Sequence, residues 1–269
     1  EDHFGNQEDI NMLKESGFEL NYKLQEKGNI KRTLTPLNNQ ENIFSEEYES
    51  LRYFEYKKNS KEYNSVIIKN KEEELFLYTK GEPFDVQDLC RKSSVAYNYS
   101  QTVSKYSVKG YKCISLAFKK LQKGEENLDR VELEKDMTFV GFYLQKIEVQ
   151  EDFSEEIEHL KNLNIDLVTI SNSSLYLALA SAQKAGLLEP NTPIIIGKTR
   201  ILNKVETLFW EKINIKKENM DDSLLKEKVE DFDINDELFI EDNTCQLALT
   251  GGAFKLLMQS SDDNQKQTI

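Results

Sequence analysis

Leu75-Phe76-Leu77-Tyr78-Thr79-Lys80-Gly81-Glu82-Pro83 is the stretch on which the fold turns. Leu75, Leu77 and Thr79 alternate with Phe76 and Tyr78, the period of a strand with two unlike faces. A helix pattern follows at 84–91. Upstream, 51–56 and 65–69 also read as strands, and three strands this close together imply antiparallel hairpins. Further out, 9–16 reads as a short helix ended by Gly17, a typical C-cap residue, and 18–22 alternates like a strand. The polar stretch 27–49, with Pro36 and several Asn, reads as a loop or insertion. Downstream, a helix is predicted over 97–108, ending at Gly110, and a central strand over 111–118.

Residues 121–136 are charged and irregular, and the rhythm changes beyond them. A buried-type strand at 137–144 is followed by a helix at 154–163 with Ser154 at its N-cap. A strand at 165–170, a helix at 174–185 closed by Gly186 and a strand at 193–196 come next. Strand and helix in alternation predict a parallel α/β sheet. Residues 202–235 carry no clear period; 238–240 and 246–249 read as short strands, and Gly251-Gly252 leads into a helix at 253–258. The polar tail from Gln259 reads as disordered. The expected division is 1–130 and 131–269.

The formal net charge of -13 disfavours nucleic acid and anionic lipid as partners. ATP is also an anion, so a nucleotide site on this chain must rest on a few local cations. Cys90, Cys113 and Cys245 are far apart and odd in number, which suggests neither a disulfide framework nor a CxxC metal site. They fit a reducing compartment. His3 and His159 are isolated, so a zinc site is not expected. No apolar run approaches the ~20 residues of a membrane span. The chain starts at Glu1 rather than Met and so reads as a piece of a longer protein.

Several strings, in order along the chain, resemble P-type ATPases of the polyamine-transporting class. Lys80-Gly81-Glu82-Pro83 is similar to the Lys-Gly-Ala-Pro element of their nucleotide-binding domain. Phe54-Glu55-Tyr56 with Ser65-Val66-Ile67-Ile68 resembles the Phe-x-Phe and Met-Ser-Val strands. Lys109-Gly110-Tyr111-Lys112-Cys113-Ile114-Ser115-Leu116-Ala117 resembles the Gly-(Phe/Tyr)-Arg-x-(Ile/Leu)-Ala-Leu-Ala strand. Gly5 to Leu20 resembles the Gly-Asp-Pro stretch of that class, and 137–188 the return into the phosphorylation domain. Gln246 to Phe254 resembles its Ala-(Leu/Val)-(Thr/Ser)-Gly-x-x-Phe element. Residues 21–50 and 200–235 match nothing in the family.

The resemblance implies an antiparallel-sheet nucleotide-binding domain, in overall class α+β, followed by part of a doubly wound α/β, HAD-like (Rossmann-type) phosphorylation domain. It implies ATP as ligand, with Tyr56 stacked on adenine, Lys80 and Gly81 in the pocket and Lys112 at phosphate. Lys112 stands where the family has Arg, which keeps the charge and loses the bidentate fork. It implies a membrane domain elsewhere in the protein, with this segment on the cytosolic side, and it leaves protein partners open. Mg²⁺ serves the family, but no ligands for it are identified in this chain.

Departures cluster at the chemistry. The phosphorylatable Asp-Lys-Thr-Gly-Thr motif and the Gly-Asp-Gly-x-Asn-Asp element are both missing, and by position they fall before Glu1 and after Ile269. The family's Thr-Gly-Asp becomes Ser171-Asn172-Ser173, so Ser171 alone remains as a phosphoryl contact and no residue is assigned as catalytic. The Asn-(Lys/Arg)-Leu element becomes Ile147-Glu148-Val149, and Glu82 replaces a small residue beside the pocket, where a carboxylate repels phosphate. The reading is a degenerate (pseudo-ATPase) module with a structural or regulatory role. The nucleotide-binding part of an active transporter and an unrelated α/β interaction domain are the alternatives.

Overall fold

The computed structural model describes residues 7–24, 30–36, 48–58, 61–150, 152–189, 192–202, 204–214, 231–232 and 246–259. The chain divides into two compact units, Glu1–Tyr99 with Cys113–Gln145, and Ser100–Lys112 with Lys146–Ile269.

The first unit is built on a seven-stranded sheet whose strands lie in chain order. They are β1 (Phe18–Leu24), β2 (Ile30–Pro36), β3 (Tyr48–Lys58), β4 (Lys61–Lys69), β5 (Leu75–Gly81), β6 (Tyr111–Leu121) and β7 (Thr138–Lys146). Pairing is antiparallel from β1 through β6, and for β3, β4 and β5 the close spacing of the sequence runs predicts it. Helix α1 (Gln7–Ser16) precedes β1 and stops at Gly17, whose φ of +74° is the left-handed conformation that glycine adopts freely. Helices α2 (Pro83–Leu89) and α3 (Tyr99–Val108) lie between β5 and β6 in the chain, and α4 (Arg130–Leu133) lies between β6 and β7.

One face of this sheet is the core. Tyr63, Ile67, Leu75, Leu77 and Ala117 pack with Val86 of α2 and with Leu121, Leu133 and Met137. The alternation in β5 explains why: Leu75, Leu77 and Thr79 are buried while Tyr78 stays 41% exposed. On the other face Tyr78 lies 6.3 Å from Phe76 and 6.1 Å from Phe118, ring centre to ring centre.

In the second unit a four-stranded sheet runs β10-β9-β8-β11. Its strands are β8 (Pro193–Leu202), β9 (Val205–Asn214), β10 (Asp231–Phe232) and β11 (Gln246–Leu249). Helices α5 (Phe153–Asn162), α6 (Leu175–Lys184) and α7 (Gly251–Gln259) accompany it. Ile194 and Ile196 pack with Leu179 of α6, whereas Ile195 packs with Trp210 and with Leu257 of α7. Both faces of β8 are therefore covered, which is why Ile194-Ile195-Ile196 is apolar without alternation.

Several details differ from the sequence reading. The loop expected over 27–49 contains β2, and the unpatterned 202–235 contains β9. Strand β7, expected in a parallel sheet, is the last strand of the first sheet, and the first unit closes at Gln145 rather than near 130. In the second sheet only β8–β11 is parallel; β8–β9 and β9–β10 are antiparallel. Residues 165–170 form no strand, because no other described strand runs beside them to pair their amides, and Val168 and Ile170 are 84% and 94% exposed. Asp152, not Ser154, occupies the N-cap of α5, while Ser174 caps α6 by accepting from Leu177 N at 3.4 Å. The strand expected at 238–240, the tail after Gln259, His3 and Cys245 lie outside the described residues.

Two measurements follow. A Cβ on Gly81 would fall 2.3 Å from Glu62 O and 2.4 Å from Tyr63 Cβ, so Gly81→Ala is expected to push β4 and β5 apart. A loss of ~1–3 kcal/mol is the scale for such overpacking, read as a lower urea midpoint; an unchanged midpoint would mean that the two strands part freely. Burial pushes the half-buried Cys90 thiol up to about 11, and its Sγ lies 3.2 Å from Val86 O as a donor. The folded state keeps a proton that the unfolded chain loses near an ordinary thiol pKa of about 8.5, so this group's contribution to stability falls as pH rises from there towards 11. At pH of about 8.5, iodoacetamide should modify native Cys90 at least ~10-fold more slowly than urea-unfolded Cys90, since only the thiolate reacts. Equal rates would show a solvated thiol.

Candidate functional site

Strand β5 delivers Lys80 and Gly81 to one end of the first sheet. Lys80 pairs in register with Asn64 on one side and Leu116 on the other, and Gly81 pairs with Tyr63 and Ser115. The turn beyond them is fixed from below. Glu82 N donates to Glu62 O at 2.8 Å, and Glu62 N donates to Asp85 Oδ2 at 2.8 Å. Pro83 then opens α2 at a position where a missing N–H costs nothing. Its carbonyl accepts from Tyr99 OH at 2.6 Å, and that hydroxyl lies 2.5 Å from Ser115 Oγ. Burial raises the Tyr99 phenol far above its ordinary value, so it stays a neutral donor. Strand end, helix start and β6 are thus tied together around Lys80.

Lys80 Nζ forms an ion pair with the Asp9 carboxylate of α1, with Met12 Sδ 3.9 Å away. Both partners are partly exposed, 28% for Lys80 and 44% for Asp9. Asp9 is a residue the sequence reading did not assign to the site, although it lies in the Gly5–Leu20 string. An acidic residue on a short amphipathic helix carries no signal by itself; its meaning comes from the long-range contact. The pair places a cation and a carboxylate side by side, which suits a ligand bearing both an acceptor and an amine donor.

The other expected residues are placed as follows. Tyr56 of β3 pairs with Tyr63 in register, so it belongs to the row of Tyr63 and Gly81, while Lys80 belongs to the next row with Asn64 and Leu116. Lys112 is half-buried at the start of β6, three positions before Ser115, and falls in the second unit. Ser171 lies in that unit too, exposed, on an irregular segment. Its Oγ is 2.6 Å from Ser173 Oγ and accepts from Ser173 N at 3.1 Å, a local hydroxyl turn of the kind Ser favours. Among the described residues, no carboxylate bonds to Ser171, Asn172 or Ser173.

Among the described residues no group of three His, Cys, Asp or Glu is arranged to hold a metal ion. No helix of the described residues is long and apolar enough to cross a membrane.

No protein-family model matches the chain. Individual proteins do. The chain is 30% identical over 159 residues to "Probable cation-transporting ATPase 13A4" of Gallus gallus, covering 58% of this chain and 13% of that protein. It is 23% identical over 239 residues to the vacuolar cation-transporting ATPase YPK9 of Saccharomyces cerevisiae, covering 85% of this chain and 16% of that one. It is 25% identical over 126 residues to the polyamine-transporting ATPase 13A3 of Homo sapiens, covering 45% of this chain and 10% of that protein. The chain thus spans at most about a sixth of the length of these relatives. With its mixed α/β architecture and its seven-stranded sheet, it is related in sequence to the 13A class of cation- and polyamine-transporting P-type ATPases.

Proposed function

We propose that this chain is the nucleotide-binding segment, with part of the phosphorylation segment, of a P-type ATPase-like membrane protein, and that it acts as a structural or regulatory module without transferring phosphate. The observation that carries this reading is the Ser171-Asn172-Ser173 turn. Its hydroxyls bond to each other and to the turn's own backbone, and it presents no carboxylate where the family has aspartate. Phosphoryl transfer to a carboxylate relies on preorganised charge around the reacting group. A neutral turn that satisfies its own donors supplies little of that.

Nucleotide binding is the function the first unit retains. Lys80 stands at the end of β5, and Gly81 beside it lets the main chain of Glu62 and Tyr63 pack against that strand end and hold it in place. Lys112, which falls in the second unit, keeps the charge of the family's arginine without its bidentate fork. Tyr56 offers an aromatic ring, and base stacking contributes ~1–3 kcal/mol. Asp9 neutralises Lys80 and Glu82 adds negative charge to the same turn, so ATP binds weakly. The module sits on the cytosolic side of the membrane, next to the membrane domain of the protein. A second reading, the nucleotide-binding part of an active transporter, draws on the intact Lys80-Gly81 turn and on the acceptor that Asp9 offers to an amine.

Calorimetric titration separates these readings together with phosphoenzyme labelling. The chain should bind ATP with a Kd near millimolar, and Lys80→Ala should raise that Kd at least ~10-fold, the loss of one charge-assisted bond to phosphate. The full-length protein should form no acid-stable phosphoenzyme from labelled ATP. Strong labelling would establish the active transporter instead, and absence of binding at several millimolar ATP would remove the nucleotide reading.

A further inference from the structure

Arg130, the first residue of α4, has a side chain only 18% exposed and reaches back across the sheet. Its Nε donates to Glu134 Oε1 at 2.7 Å, and the Glu134 side chain is 4% exposed. The same Glu134 oxygen accepts from Ser65 Oγ at 2.5 Å, and Ser65 Oγ is 2.8 Å from Thr79 Oγ1. The rest of the guanidinium grips backbone. Nη1 donates to Glu55 O on β3 at 2.9 Å, and Nη2 lies 3.5 Å from Tyr63 O on β4. The cation also lies 5.6 Å from the Phe54 ring centre and 5.2 Å from that of Tyr63.

The place of this contact matters. Strand β2 pairs with β3 only at Glu49 and Tyr48, so from Leu51 onward β4 is the one strand paired with β3 among the described residues. At that level β4 pairs in turn with β5, so β3 is an edge strand held on one side only. Arg130 adds a second hold on it, assisted by Arg52. Arg52 lies 4.7 Å from the Phe54 ring centre and donates through Nη1 to Glu126 O at 2.5 Å. The carbonyls that Arg130 holds, at Glu55 and Tyr63, immediately precede Tyr56 and lie directly opposite it in the β3–β4 register.

We propose that Arg130 is a positioning residue for nucleotide binding: from α4 it clamps both strands of the β3–β4 hairpin at the level of Tyr56, with Glu134 neutralising it and anchoring it to Ser65. This rests on the nucleotide reading above. Lysine cannot substitute, because one ammonium cannot bond two strands and a carboxylate in a fixed fork.

Hydrogen exchange and ATP titration on the whole chain test it. In Arg130→Met the amides of 51–56 and 63–67 should exchange at least ~10-fold faster, those of β5 and β6 should keep their rates, and the Kd for ATP should rise several-fold. Arg130→Lys should behave like Arg130→Met. Glu134→Gln, which keeps the acceptor but removes the countercharge, should fall between these and the unsubstituted chain. If Arg130→Met proves too unstable to assay, the Glu134→Gln comparison decides on the same two readouts. Exchange that quickens uniformly across the first unit, or recovers in Arg130→Lys, reduces Arg130 to ordinary core packing. A loosened hairpin with unchanged ATP affinity removes the positioning role alone. An unsubstituted chain that binds no ATP removes the nucleotide reading and the positioning role with it, leaving the exchange data to report only on the clamp.

Discussion

The close approach of β4 to β5 at Gly81 is the constraint on which the first unit depends. The Glu62 carbonyl and the Tyr63 main chain occupy the space any side chain would need. That contact lets Glu62 serve two neighbours at once, accepting from Glu82 N and donating to Asp85. Strand β5 therefore ends abruptly, α2 starts at Pro83, and Val86 drops into the core beside Leu77 and Ile67. Lys80 inherits its place from this arrangement. It is the last side chain of the strand that points away from the packed face, held by a backbone that cannot shift without separating two strands.

The two units solve burial differently. In the first, one sheet face is covered by short helices and connecting segments, and buried hydroxyl and carboxyl groups are paired with one another. Ser65, Thr79 and Glu134 form one such chain, and Ser115 and Tyr99 form another. Unpaired, each would cost ~1–3 kcal/mol, so these networks fix the register of β4, β5 and β6 as firmly as the apolar row does. The second unit instead covers β8 on both faces. Lys198, which enters this sheet, is paired with Glu211 at 2.5 Å and Tyr176 OH at 3.0 Å.

What could be read from the sequence followed from period and punctuation. The alternation of Leu75, Leu77 and Thr79, and the glycines at 17, 110 and 186, placed β5, α1, α3 and α6 within a few residues, because each is a local signal with a local cause. The failures were non-local. Strand β2 is polar in sequence and forms because β1 runs beside it in full register. Ile165-Asp166-Leu167-Val168-Thr169-Ile170 has the composition of a strand and is not one, since a strand exists only when its amides find a partner. At the candidate site Lys80 was legible as a strand-end lysine before glycine. Asp9 and the Arg130–Glu134 clamp were not, because their partners lie 71 and more than 65 positions away in the chain.

The electrostatics of Lys80 decide what kind of nucleotide site this can be. The net charge of -13 is spread over a large surface, and beyond ~8 Å it is screened at physiological salt. On the proposed nucleotide reading, the repulsion acting on ATP at Lys80 is set by near neighbours, Asp9 and Glu82. A pair as exposed as Lys80–Asp9 contributes only ~0–1 kcal/mol, so phosphate can displace Asp9 from the ammonium at little cost. What phosphate cannot do is remove the carboxylate, which stays within a few ångströms as an unpaired negative charge. The turn therefore favours a ligand whose donor meets Asp9 while its anionic part lies further along. A ligand that carries a donor beside its anionic group satisfies both charges; a bare phosphate satisfies only Lys80.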